Sequence, residues 1–239
     1  MQTVYHPAAS RGHAQHGWLN SYHTFSFGGY YNPERIHFGA LRVLNDDTVA
    51  PGMGFGTHPH DNMEIISIPL RGDLKHRDSM GNEAVIREGD IQVMSAGSGI
   101  AHSEMNANRD KEVKFLQIWV FPNRKEVQPR YGQLTMDPVL QKNNLAQVLS
   151  PDPNDEGVWI HQDAWFHMGR LDAGISREYQ LRRNGNGVYV FVLDGTLTIG
   201  GQELQPRDGL GITGTAAFTL TATSNARVLL MEVPLQVNA

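Results

Sequence analysis

Where a period is visible along this chain, hydrophobic and polar residues alternate with a period of two. Residues 65–70, 91–94, 114–121, 196–199, 217–222 and 228–233, and the wholly apolar run 188–193, each read as strands. Turn signals separate them: Arg71-Gly72-Asp73, Ser79-Met80-Gly81-Asn82, Glu88-Gly89-Asp90, Asp194-Gly195 and Gly200-Gly201. Many short strands at such regular spacing predict an all-β chain built as a sandwich or barrel. Helical spacing is best in residues 138–148, and weak even there.

Two stretches repeat one order of elements. Ser67-Ile68-Pro69-Leu70-Arg71-Gly72-Asp73-Leu74 leads to Gly89-Asp90-Ile91, and Phe191-Val192-Leu193-Asp194-Gly195-Thr196-Leu197 leads to Asp208-Gly209-Leu210. Each runs strand, x-Gly turn, strand, Gly/Asp turn, which predicts a duplicated β-barrel unit, one per half. The intervening residues 122–153 are rich in Pro, Asn and Asp, so the expected units are 1–134 and 135–239.

Composition narrows the chemistry. The 239 residues include 25 Gly, 11 His and no Cys. Without Cys there are no disulfides, thiolate zinc sites, iron–sulfur clusters or cysteine nucleophiles, so any metal is held by nitrogen and oxygen. A formal net charge of −5, with no basic run longer than Arg182-Arg183, argues against direct nucleic-acid binding. No apolar stretch approaches the ~20 residues needed to span a bilayer. The opening Met1-Gln2-Thr3-Val4-Tyr5-His6-Pro7 has no signal-peptide character, and a cytoplasmic globular protein with no membrane partner is expected.

Two spacings carry candidate chemistry: His58-Pro59-His60 and His102-Ser103-Glu104. Side chains two apart on a strand point the same way, so each pair aims two donors at one side. If both strands face a barrel interior, three imidazoles and one carboxylate converge, a set that suits Fe, Mn, Co, Ni, Cu or Zn. Gly52, Gly54 and Gly56 approach the first pair and Gly97-Ser98-Gly99 the second, which lets the backbone turn sharply before each.

Residues 52–72, around Gly56-Thr57-His58-Pro59-His60, resemble the first cupin motif, and 89–102, ending Gly97-Ser98-Gly99-Ile100-Ala101-His102, resemble the second. The wording is that of the pirin family of two-domain cupins. It is carried by Arg11-Gly12-His13, His16-Gly17-Trp18-Leu19, His23-Thr24-Phe25-Ser26-Phe27, Thr57-His58-Pro59-His60 and His102-Ser103-Glu104. Pro151-Asp152 and Ile160-His161-Gln162-Asp163 resemble the family's second half. The resemblance implies a bicupin: two packed β-barrel (double-stranded β-helix) domains, with the metal in the first. It is strongest toward bacterial pirin-like proteins with flavonol-cleaving (quercetinase) activity. It therefore implies a dioxygenase that opens a flavonol ring with O2 at one divalent metal, Fe(II) foremost, held by His58, His60, His102 and Glu104, with Glu104 also the general base. A non-catalytic metal- or redox-sensing co-regulator, acting through a protein partner, is the alternative the same family implies. A monomer is expected.

Departures from the general cupin pattern bear on the carboxylate. The glutamate usual in cupins would be Glu64, but on an ideal strand it lies about 13 Å beyond His60. Its expected role is to orient an imidazole N–H or simply to begin a strand. Counting from Gly195 and Asp208 places Leu181, Arg183, Gly187, Leu220 and Ala222 in the corresponding slots of the second half, so no second metal is expected. Among other polar residues, His13 and His16 read as turn or interface residues and His23 as hydrogen-bonded within the fold. His37, His76, His161 and His167 lack ligand-like neighbours, and Asp46-Asp47 reads as a solvated turn. Either Trp119 with Phe121, or Ile118 with Val120, faces the barrel interior.

Overall fold

The structure, a computed structural model, describes residues 1–137 and 139–237. Among them the first half builds a seven-stranded sheet. Its order is β12 (Arg130–Thr135), β9 (Asp90–Ser95), β6 (Glu64–Arg71), β11 (Val113–Val120), β4 (Leu41–Val49), β3 (Leu19–His23) and β2 (Gly12–Gln15). Facing it is a four-stranded sheet: β5 (Gly54–His60), β10 (Ile100–Asn106), β7 (Leu74–Asp78) and β8 (Glu83–Ile86).

The second half repeats the plan. Its large sheet runs β1 (Gln2–His6), β20 (Gly209–Thr213), β17 (Asn186–Asp194), β22 (Ala226–Pro234), β15 (Trp165–Leu171), β13 (Leu145–Ser150) and β14 (Val158–Trp159). Its small sheet runs β16 (Ser176–Gln180), β21 (Ala217–Ala222), β18 (Leu197–Ile199) and β19 (Gln202–Leu204). The matched orders show the duplication expected from the repeated turn pattern. Each barrel is an open pair of sheets, with no ladder joining large sheet to small among the described residues. The only helical element described is a 3-10 turn at Ala8–Ser10, and among the described residues no helix is long and apolar enough to cross a membrane.

Strand parity decides where each side chain goes. Ile66, Ile68, Leu116 and Ile118 share one buried core with Phe166, Phe191, Leu229 and Met231, so the two large sheets pack back to back. Fully burying such side chains contributes about 1.5–3 kcal/mol each, which makes this shared core the main tie between the halves. The opposite parity, Ser67, Phe115, Gln117 and Trp119, lies between the two sheets of the first half. Trp119 is thus the inward residue of the two expected sets. Phe121, past the end of β11, packs instead against the core between the halves.

One expectation needs correction. Pro138 lies outside the described residues, but the rest of the helix-like patch is a turn followed by strand β13. From Ala146 to Ser150 this strand runs buried without a break, and a strand covered on both sides loses the alternation that would reveal it. The halves also share a strand: β1 pairs with β20 of the other half from Gln2↔Thr213 to His6↔Gly209. Asp208 fixes that pairing: it accepts hydrogen bonds from Tyr5 Oη and from the Ala8 backbone N–H, both 2.7 Å.

Candidate metal centre and its cavity

Strands β5 and β10 pair antiparallel with His102 opposite His58. Two residues further along β10, Glu104 faces Phe55, so β5 holds one extra residue at Gly56-Thr57. This bulge lets Phe55 and His58, three apart, line the same cavity, where regular alternation would send them to opposite faces. Gly56 also supplies the carbonyl that accepts the His58 Nδ1–H at 2.8 Å, leaving Nε2 as the free donor.

The imidazoles of His58, His60 and His102 converge, with one ring nitrogen of each within 4.8 Å of the others. Ring centroids are 4.5–4.9 Å apart. His102 is 1% exposed, yet neither of its ring nitrogens has a hydrogen-bond partner among the described residues. Burial and the neighbouring imidazoles push His102 down to about 3, and burial and His58 push His60 down to about 4. Both therefore stand neutral at physiological pH, with lone pairs available. Buried polar atoms without partners are rare in native proteins, and a divalent transition ion is the partner that three converging imidazoles fit.

Glu104 stands outside this trio. It is 1% exposed and held by the large sheet: the Ser67 hydroxyl is 2.7 Å from its Oε1, and Gln117 Nε2 donates to Oε2. Burial pushes its carboxyl up, against the lowering effect of Ser67, Gln117 and the nearby His76 and His58. Glu104 and His58 border one cavity of about 170 Å³, walled by Leu19, Phe27, Phe55 and Trp119 on the apolar side. His60 stacks edge-on against Trp119, with ring centroids 5.0 Å apart.

Several sequence expectations change here. Glu64 does not orient an imidazole: it shares the parity of Ile66, faces away from the cavity, and accepts a 2.7 Å hydrogen bond from Ser95 Oγ. It is 1% exposed and pushed up to about 7 by burial, which Ser95 and Arg130 only partly offset. Asp46 and Asp47 are not a solvated turn but part of β4. Asp46 pairs with Arg11 and Arg207, while Asp47 is 3% exposed, faces the cavity and accepts from Ser21 Oγ. His23 also borders the cavity, and its Nδ1 is buried without a partner among the described residues.

Sequence reasoning gives His76 no role, yet it is fully buried, 5.4 Å from the His102 ring, with Nε2 3.0 Å from Asp78 Oδ2. Its signal is available, since His76 and Asp78 stand two apart on a strand, as His58 and His60 do.

Strand pairing also resets the comparison with the second half. Ser67 pairs with Gln117 and Val190 with Leu230, while β10–β5 and β21–β16 are the matching small-sheet pairs. Counted from the Leu74↔Asn106 and Leu197↔Ala222 pairs, the slots of His102, Glu104, His58 and His60 hold Phe218, Leu220, Tyr179 and Leu181. The sequence count runs two residues late at these four slots, because the connecting loops differ in length. Neither set contains an imidazole or a carboxylate.

Residues 5–120 match the family model described as Pirin, and residues 147–233 match that of the quercetinase C-terminal cupin domain. The chain is 42% identical over 227 residues to quercetin 2,3-dioxygenase of Escherichia coli, covering 95% of this chain and 96% of that one. It is 37% identical over 227 residues to a pirin-like protein of Caulobacter vibrioides, covering 95% and 97%. The crystal structure of the bacterial pirin YhhW from Escherichia coli in complex with nickel(II) superposes with a TM-score of 0.93 at 39% identity, covering 99% of this chain and all of that one.

Proposed function

The chain belongs to the pirin family of two-domain cupins, and on that premise we propose that it is a metal-dependent dioxygenase that opens an enol-bearing aromatic ring with O2, a flavonol being the model substrate. The observation that carries this reading is the convergence of three imidazoles, with the buried His102 ring partnerless, at the edge of a half-apolar cavity. In it His58, His60 and His102 hold one divalent ion, with Glu104 as the fourth ligand. Fe(II) is the first choice, and Mn, Co, Ni, Cu and Zn suit the same donors. Such an ion supplies Lewis acidity toward the enol oxygen and a centre at which O2 and substrate meet.

The protein's own residues do the rest. The walls of Leu19, Phe27, Phe55 and Trp119 exclude water and hold a flat ring beside His58. Glu104, its carboxyl raised by burial, takes the proton of the enol hydroxyl as general base. Ser67 and Gln117 fix the carboxylate and keep its proton affinity from rising further.

The test is O2 consumption by metal-loaded protein with and without quercetin, alongside His58→Ala and Glu104→Gln. Substrate-dependent uptake, abolished in both variants, is the expected result. Turnover retained by a His58→Ala protein shown to be metal-free would refute it. Metal-dependent capture of a protein partner without O2 uptake would instead favour the co-regulator reading.

A further inference from the structure

The cavity beside the imidazole trio has a polar inner wall that the reaction above does not use. On β4 the inward positions run Val43, Asn45, Asp47, Val49, so an amide and a carboxylate interrupt an otherwise apolar row. Asn45 is 2% exposed, and its Oδ1 has no hydrogen-bond partner among the described residues. Asp47 accepts from Ser21. Across the sheet Asn45 pairs with His23, whose Nδ1 is also buried and partnerless, and all four residues line the cavity. Leaving a buried acceptor unpaired costs about 1–3 kcal/mol. Such an unpaired acceptor on a residue that lines the cavity calls for a ligand that brings its own donor.

Size narrows that ligand. A cavity of roughly 150 Å³ is enough to take up benzene, whereas enclosing a drug-sized molecule needs ~300–1,000 Å³. At about 170 Å³ this cavity holds one six-membered ring. The remainder of a fused three-ring molecule must extend out through the mouth.

We propose that the cavity takes a single hydroxylated aromatic ring, and that Asn45 and Asp47, set by Ser21, form the specificity wall that accepts the hydrogen bond of that ring's hydroxyl. The substrate class is therefore an aromatic enol carrying at least one further ring hydroxyl, placed to reach β4 while the enol lies toward His58. A hydroxyl at that position satisfies Asn45 Oδ1 directly. An unsubstituted ring leaves it desolvated and unpaired, and a site built on hydrogen-bonding a hydroxyl discriminates strongly against the analogue lacking one.

This inference rests on the metal-and-enol reading but is tested by binding. Protein loaded with Ni(II) is titrated without O2 against 3-hydroxyflavone and against its 4′-hydroxy and 7-hydroxy derivatives. At least one derivative is expected to bind about tenfold or more tightly than the parent, the discrimination a hydrogen-bonding pocket supplies. Asn45→Leu and Asp47→Asn are each expected to reduce that preference to about threefold or less, with Ni(II) stoichiometry confirming an intact trio. If Asn45→Leu does not fold, Asp47→Asn and Ser21→Ala decide the point. No preference in the wild-type protein, or a preference that survives in every folded variant, overturns the proposal. A preference of the expected kind with no O2 uptake afterwards removes the dioxygenase reading and leaves this wall standing.

Discussion

Replacing Glu64 by glutamine should stabilise the metal-free protein at alkaline pH and leave it little changed in acid. Glu64 is buried between the halves, and its carboxyl is pushed from an ordinary 4.5 up to about 7. A native state that grips this proton more tightly than the unfolded chain is favoured in acid. It loses that advantage as pH rises from about 4.5 through 7, and the loss levels off above. At about 1.36 kcal/mol per pH unit, that interval amounts to about 3 kcal/mol. The Glu64→Gln side chain keeps an acceptor for Ser95 Oγ and carries no titrating group, so the variant should lack this slope. Asp47, also pushed up to about 7 by burial, contributes the same sign in the same window. The informative quantity is therefore variant minus wild type, from urea unfolding in chelator at about pH 5, 6, 7 and 8. The variant should gain on the wild type by of order 3 kcal/mol across the series. A difference that stays flat with pH, or that shrinks toward the alkaline end, would refute the assignment of Glu64 as a buried group that resists ionisation.

Two further outcomes follow from named contacts. Elemental analysis should find one equivalent of metal per chain and almost none in His102→Ala; a second equivalent would mean that the second half binds metal despite Tyr179, Leu181, Phe218 and Leu220 in its slots. Gly97→Ala should lower the melting temperature, since Gly97 has φ +49° and a Cβ there would collide with the Val127 carbonyl oxygen; the backbone conformation alone costs roughly 1–3 kcal/mol, and an unchanged melting temperature would contradict it.

How much of this is legible in the sequence depends on what burial does to a pattern. Short alternating or wholly apolar runs bounded by turn signals are legible as strands, and each of the seven expected ones overlaps an observed strand. The imidazole trio is legible as well, because spacing of two on a strand is a statement about direction. Asp47 is not, since an Asp-Asp pair looks solvated unless the reader knows that β4 borders a cavity. Nor is the Glu64 environment: its parity matches Ile66 and Ile68, but which parity faces the metal becomes visible only once Ser67 and Gln117 are seen to grip Glu104. The slots of the second half are displaced because counting through loops assumes equal loop lengths, and only pairing partners fix register.

The crossing of β1 into the far sheet ties the beginning of the chain to a late event in its synthesis. Tyr5 must wait for Asp208, 203 residues downstream, before it has a partner. At translation rates of ~5–20 residues per second, that wait is roughly 10–40 s. During it, the metal-binding half can complete its own sheets while its leading strand trails unpaired, and the edge that β1 will cover does not yet exist. Closing so long a loop is a slow, nonlocal step. The docking of Gln2–His6 along β20 is thus a natural last act of folding, one that seals the second sheet with a strand taken from the first half and leaves β20 an open edge in a second half made alone.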